Sequence, residues 1–116
     1  MTTPEEMIQR FYAIRKAEFG FLERLELQQS VDPTNWAGFR LEIDLRSSAT
    51  STSPRLRLAF VGVQELRVGK LEGLLRYMID IRWIGASQME RRNYKVAEGE
   101  YDAISFVCDA FTASLD

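Results

Sequence analysis

Two stretches of the chain alternate apolar and polar residues strictly. Phe39, Leu41, Ile43 and Leu45 are interleaved with Arg40, Glu42 and Asp44, and Arg46 follows; Leu56, Leu58 and Phe60 are interleaved with Arg57, and Arg55 precedes them. A period of two predicts strands with one buried and one solvated face. At Gly62 the phase slips, because Val61 and Val63 fall on the other parity, which predicts a bulge or bend there. Over 74–84, Leu75, Tyr77, Ile79, Ile81 and Trp83 share one face while Arg76, Met78, Asp80 and Arg82 share the other. Residues 90–97 form a weaker strand with Tyr94 and Val96 in register, and Glu98-Gly99-Glu100 suits a tight hairpin turn. The last strand is predicted over 101–111, with Ile104, Phe106, Cys108 and Ala110 on one face and Tyr101, Val107 and Phe111 on the other. Earlier, Phe21, Leu25 and Leu27 suggest a strand across 21–28, closed by the turn residues Asp32-Pro33-Thr34-Asn35.

Before Gly20 the period is 3.6. Met7, Ile8, Phe11 and Ile14 fall on one arc, with Tyr12 at its edge. Thr3 suits the N-cap, Pro4 the first helical position, and Glu6 lies three residues after the cap, as in a capping box. Glu5 and Glu6 sit at the positive end of the helix dipole, and Arg15 and Lys16 near the negative end. A helix over about 4–18 follows, with its stripe facing a core.

One helix followed by strands joined by short connections predicts an α+β fold: an N-terminal helix packed on a mainly antiparallel, roughly six-stranded curved sheet, in a single domain over residues 1–116. The helix would press Phe11 and Ile14 onto Ile43, Leu58, Ile79 and Ile104. The pattern leaves strand order open, and equally whether the sheet stays open or curls into a half-barrel. Ser47 to Pro54 (SSATSTSP) reads as a loop.

Composition narrows function by exclusion. The chain has 116 residues, 46% hydrophobic and 28% charged, enough for one core and unlike a disordered segment. It has no histidine, so Ser-His-Asp and Cys-His catalysis and imidazole metal ligation are unavailable. Its one cysteine, Cys108, neither staples the chain nor builds a zinc site, and is read as a buried structural thiol. A net charge of −2 argues against a nucleic-acid binder; Tyr94 with Arg91 and Arg92 is a weak basic–aromatic cluster on its own. No signal peptide begins the chain and no run approaches ~20 apolar residues, so a cytoplasmic protein without a membrane span is expected. No cofactor or metal site is read from the residues.

Charge is uneven. Residues 40–95 carry 11 Arg or Lys and 6 Asp or Glu, whereas residues 96–116 carry five acidic residues and no basic one. Strand parity gathers Arg40, Arg46, Arg55, Arg57, Arg76 and Arg82 on the outward face, with Glu42, Asp44 and Asp80 among them. Guanidinium groups suit bidentate contacts to carboxylates. The bland interpretation is a solvated face with cross-strand Arg–carboxylate pairs. The functional one is a recognition surface for an acidic protein partner, with those six arginines as the binding candidates. On that interpretation, charge reversal at Arg55 and Arg57 would abolish capture and leave the fold intact. Acid–base chemistry by Glu42, Asp44 and Asp80 is disfavoured, because flanking arginines keep carboxylates ionised. Trp36 and Trp83 are aromatic residues at strand ends.

The segment Tyr94-Lys95-Val96 followed by Glu98-Gly99-Glu100-Tyr101-Asp102-Ala103-Ile104-Ser105-Phe106-Val107-Cys108 resembles the closing hairpin of small bacterial proteins of the immunity type, which neutralise toxins from neighbouring cells. The resemblance covers about a fifth of the chain and rests on strand chemistry. It implies a small cytoplasmic binding protein without enzymatic activity, and it transfers no functional residue.

The residues thus point to a non-catalytic protein-interaction module, not an enzyme, and the resemblance implies that it is immunity-like. An alternative is a small-ligand binder or enzyme with a pocket on a concave sheet, lined by Tyr77, Trp83, Phe60 and Phe106. A homodimer formed through an apolar patch of Val61, Val63, Val107 and Phe111 is a third.

Overall fold

The computed structural model describes residues 3–15, 19–31, 37–48, 52–72, 76–85 and 93–115. The turn at 32–35, Trp36, the centre of the serine loop, Leu75, Arg91 and Arg92 lie outside them.

Helix α1 (Pro4–Arg15) starts where its cap requires. The Thr3 hydroxyl accepts the Glu6 N–H at 3.2 Å, and the Thr3 carbonyl accepts the Met7 N–H at 3.1 Å. Residues 16–18, which would carry the helix to its expected end, are outside the described set. Phe11 is fully buried, and Met7, Ile8, Tyr12 and Ile14 pack around it against the core.

Among the described residues seven strands follow rather than six: β1 (Phe21–Val31), β2 (Ala37–Arg46), β3 (Arg55–Val68), β4 (Ile79–Trp83), β5 (Tyr94–Glu98), β6 (Ile104–Cys108) and β7 (Ala110–Leu115). The sheet runs β1-β2-β3-β6-β5-β4, with β7 also paired to β3, and every pairing is antiparallel. The fourteen-residue β3 is its spine. Its first half pairs with β2 and β7, and its second half with β6.

The expected slip at Gly62 is present, with φ of 69° and a register shift against β2 between Phe39 and Arg40. Only glycine adopts that φ without steric cost. One register offset relates Val61 to Ala110 and Gln64 to Val107, so the segment paired with β3 kinks beside Gly62, at Asp109 between β6 and β7. The Asp109 N–H reaches the Val61 carbonyl at 2.9 Å, and the Asn93 side-chain amide donates to the carbonyl and carboxylate of Asp109 at 3.0 and 2.9 Å. This double kink bends the sheet into two limbs.

Three facial assignments change as a result. The expected strand 101–111 divides at Asp109, so Ala110 is exposed and Phe111 is buried. Val63 also turns inward, and Val107 is covered on the outer side. Of the proposed self-association patch only Val61 remains exposed, and the patch does not exist. In β1 a register shift between Leu22 and Arg24 leaves Glu23 over and puts Phe21 on the outward face, opposite Arg46.

The core fills the concavity between the limbs and under α1. Phe60 meets Phe106 edge-on at 4.8 Å, Tyr94 meets Phe111 at 4.9 Å, and Phe11 of the helix meets Phe111 at 6.5 Å. Leu41, Ile43, Leu45, Leu56, Leu58, Ile79, Ile81 and Ile104 complete it. Each such side chain stabilises the fold by roughly 1.5–3 kcal/mol on burial. α1 packs on β4 and β7. It also closes the β4 edge, because the Tyr12 hydroxyl donates to the Ile81 carbonyl and accepts the Ile81 N–H, both at 3.1 Å. Among the described residues no helix is long and apolar enough to cross a membrane.

Candidate functional site

The outward face of β1, β2 and β3 is built by parity. Inward Leu25, Leu41, Ile43, Leu56 and Leu58 are packed in or against the core, which turns Arg24, Glu26, Arg40, Glu42, Asp44, Arg46, Arg55 and Arg57 to the other side. One register row aligns Arg24, Asp44 and Arg57, and another aligns Glu26 with Glu42.

Arg24 is the hub of this face. Its guanidinium donates to Glu26, to Glu42 Oε2 at 3.3 Å and to Asp44 Oδ2 at 3.3 Å. The bond to Glu26 above all, with those to Asp44 and Glu42 adding to it, holds it protonated more firmly than an ordinary arginine despite desolvation. Arg57 Nε approaches Asp44 Oδ1 at 3.6 Å, so the buried Asp44 carboxylate lies between two guanidiniums. Arg40 Nη2 stands 3.9 Å from Glu42 Oε1.

A second cluster surrounds the bulge residue Glu23. Arg46 Nε donates to Glu23, its Nη1 donates to the Ser53 carbonyl at 2.7 Å, and Arg55 Nη1 lies 3.5 Å from Glu23 Oε1. The hydrogen bond from Arg46, with help from Arg55, holds the Glu23 carboxyl below its usual value despite some desolvation.

The six arginines expected as one surface therefore separate. Arg40, Arg46, Arg55 and Arg57 share the β2–β3 face. Arg82 lies on β4, opposite Lys95 of β5, and Arg76 precedes β4 beside Gly20. β4 is three strands from β3 in the sheet order, a separation of about 14 Å along the sheet at ~4.8 Å per strand. Side-chain exposure divides the first group as well: Arg40 and Arg57 are 43% and 47% exposed, whereas Arg46 and Arg55 are 14% and 25% exposed.

Glu42 and Asp44 meet at Arg24, but Asp80 is on β4, with the Tyr12 hydroxyl 3.5 Å away, so the three carboxylates do not form one group. Cys108 is fully buried and its thiol is pushed up to about 12, by burial first and then by Asp109. The aromatic residues considered as pocket lining serve the core instead. Phe60 and Phe106 fill it, and the Tyr77 hydroxyl is tied to the Leu71 carbonyl at 2.5 Å. Trp83 leaves the core-facing run for the exposed end of β4, its ring edge-on to Tyr94 at 5.4 Å.

This face sets arginines and carboxylates side by side, with Arg40 and Arg57 the most open of its arginines. The sequence model of the family described as immunity protein PIM8 matches residues 3–114. The chain belongs to the PIM8 immunity protein family. Comparison with curated proteins and with solved structures gives no match. Membership of the PIM8 family supports a non-catalytic, immunity-type role, and the partners of immunity proteins are toxin proteins.

In this PIM8 family chain, parity reading did not reveal the parts that β1 contributes. Glu23, Arg24 and Glu26 belong to the charged face, but the bulge hides their phase. Glu98 was also missed. It is a buried carboxylate that accepts four main-chain N–H groups, from Met78, Glu100, Tyr101 and Ala103. A glutamate directly before Gly-Glu-Tyr-Asp, placed to accept N–H groups two and three residues on, was the available signal.

Proposed function

We propose that this protein neutralises a toxin by binding it without catalysis, and that the open guanidiniums on the outward sheet face receive carboxylates of the toxin. The match to the PIM8 family over residues 3–114 carries this reading. The arrangement of the arginines supports its finer part. Arg40 and Arg57 project from the β2–β3 face, and Arg76 and Arg82 are exposed at the other end of the sheet. Arg46 and Arg55 are committed to Glu23 and hold the β1 bulge. An acidic surface that spans both arginine groups would engage a rigid template, so little ordering entropy is lost on binding. A cytoplasmic site of action belongs to the same proposal.

The test is protection of a host cell that expresses a toxin captured by the purified protein. Arg40→Glu combined with Arg82→Glu is expected to abolish protection while circular dichroism and melting temperature stay unchanged, because exposed pairs contribute only about 0–1 kcal/mol. Full protection by the double variant would make the face ordinary surface. Charge reversal at Arg57 is less suitable, because it would set a carboxylate against buried Asp44; Arg57→Gln is the cleaner probe there.

A further inference from the structure

We propose that β1 pairs antiparallel with β1 of a second copy of this chain, with Leu27 on the two-fold axis. β1 is eleven residues long and ends the sheet order, with only β2 beside it among the described residues. The opposite end is treated differently, since Tyr12 takes both main-chain groups of Ile81 on β4. An unpaired strand edge of this length is a template for another strand.

The sequence of β1 selects a second copy in one register. The register shift at Glu23 leaves 24–30 as the regular stretch, and an antiparallel self-pairing must be isologous, so each residue pair occurs twice about the axis. Centring on Glu26 sets Glu26 against itself, and like charges directly opposite destabilise a sheet. Centring on Leu25 places Leu27 against Glu23, at the irregular position. Centring on Leu27 keeps the regular stretch of both copies aligned, sets Glu26 against Gln28 and Leu25 against Gln29, and opposes no like charges. It also buries Leu27, which is 45% exposed although it lies on the same side of the sheet as fully buried Leu41. A single strand pair covers less than the ~1,200–2,000 Å² of a stable interface, so the dimer forms reversibly and at high protein concentration.

Sedimentation equilibrium of the full chain up to millimolar concentration tests this. The weight-average mass is expected to climb toward twice the monomer value. Leu27→Lys, which places two ammonium groups face to face at a position exposed in the monomer, is expected to raise the dimer dissociation constant at least tenfold with an unchanged dichroism spectrum. Mild oxidation of Leu27→Cys is expected to give a disulfide-linked dimer, because opposed Cβ atoms on paired strands lie about 4.5–5.5 Å apart. Gln29→Cys is expected to give none, since its two copies would be about 13 Å apart along the strands. Native Cys108 is buried and stays out of the reaction. A wild type that stays monomeric throughout, a dimer indifferent to Leu27→Lys, or equal cross-linking at 27 and 29 would overturn the proposal.

Discussion

Replacing Glu98 by alanine strips a carboxylate from the turn between β5 and β6. Its oxygens accept the N–H groups of Tyr101 at 2.7 Å, Met78 at 2.8 Å, Glu100 at 3.0 Å and Ala103 at 3.4 Å. Glu100 and Tyr101 are exposed, so water can replace the carboxylate for those two N–H groups. Ala103 is buried and the Met78 bond is part-buried, so these two donors lose an acceptor that water replaces poorly. At roughly 1–3 kcal/mol for each unsatisfied donor, Glu98→Ala should cost about 2–6 kcal/mol. That is a large share of the ~5–15 kcal/mol expected for a domain of this kind. Urea unfolding followed by circular dichroism measures it. A loss below about 1 kcal/mol would refute the reasoning. Acid dependence gives an independent check. Burial pushes the Glu98 carboxyl up, but the N–H groups of Met78, Tyr101, Glu100 and Ala103 outweigh it, and the group sits below its ordinary 4.5. The folded protein then binds this proton less readily than the unfolded chain. The stabilisation is complete above the ordinary carboxyl range and is lost as pH falls through the lower folded value. The advantage of wild type over Glu98→Gln should therefore shrink below pH 4.5, and an advantage that stayed constant from pH 7 to pH 3 would count against the account of this turn.

Phe11→Ala removes the fully buried ring by which α1 joins the core, and should cost about 3–5 kcal/mol in thermal or urea unfolding. Tyr12→Phe leaves the Ile81 N–H and carbonyl without the hydroxyl that satisfies both; a loss of about 1–2 kcal/mol is expected, with faster hydrogen exchange at the Ile81 amide. The Cys108 thiol, buried and pushed up to about 12, should resist an aromatic disulfide reagent at pH 8 until urea unfolds the chain.

What the sequence made legible was local chemistry. Thr3 and Pro4 set the start of α1, and the alternation over 39–46 and 55–60 set the central strands, because these signals lie within one element. The slip at Gly62 was readable from the residues on either side of it. Its consequence in the strands paired with β3 was not, since Asp109 is a kink only because it lies beside Gly62 and receives Asn93. Phe111 accordingly moved from the wet face to the core. The charged face was half legible. Parity identified the arginines of β2 and β3, but pairing decides their roles: Arg46 and Arg55 close on a glutamate that only the β1 bulge brings within reach. Glu98 looked like a turn residue because its donors Met78 and Ala103 come from outside the local Glu-Gly-Glu motif.

Neutralisation by binding differs from neutralisation by catalysis in stoichiometry. The decisive measurement titrates the purified protein into a fixed amount of a toxin that it binds and follows residual toxin activity over time. Inhibition should rise linearly, stop at one protein per toxin and stay constant with incubation. Complete loss of toxin activity at a small fraction of an equivalent, progressing with time, would contradict a non-catalytic immunity protein.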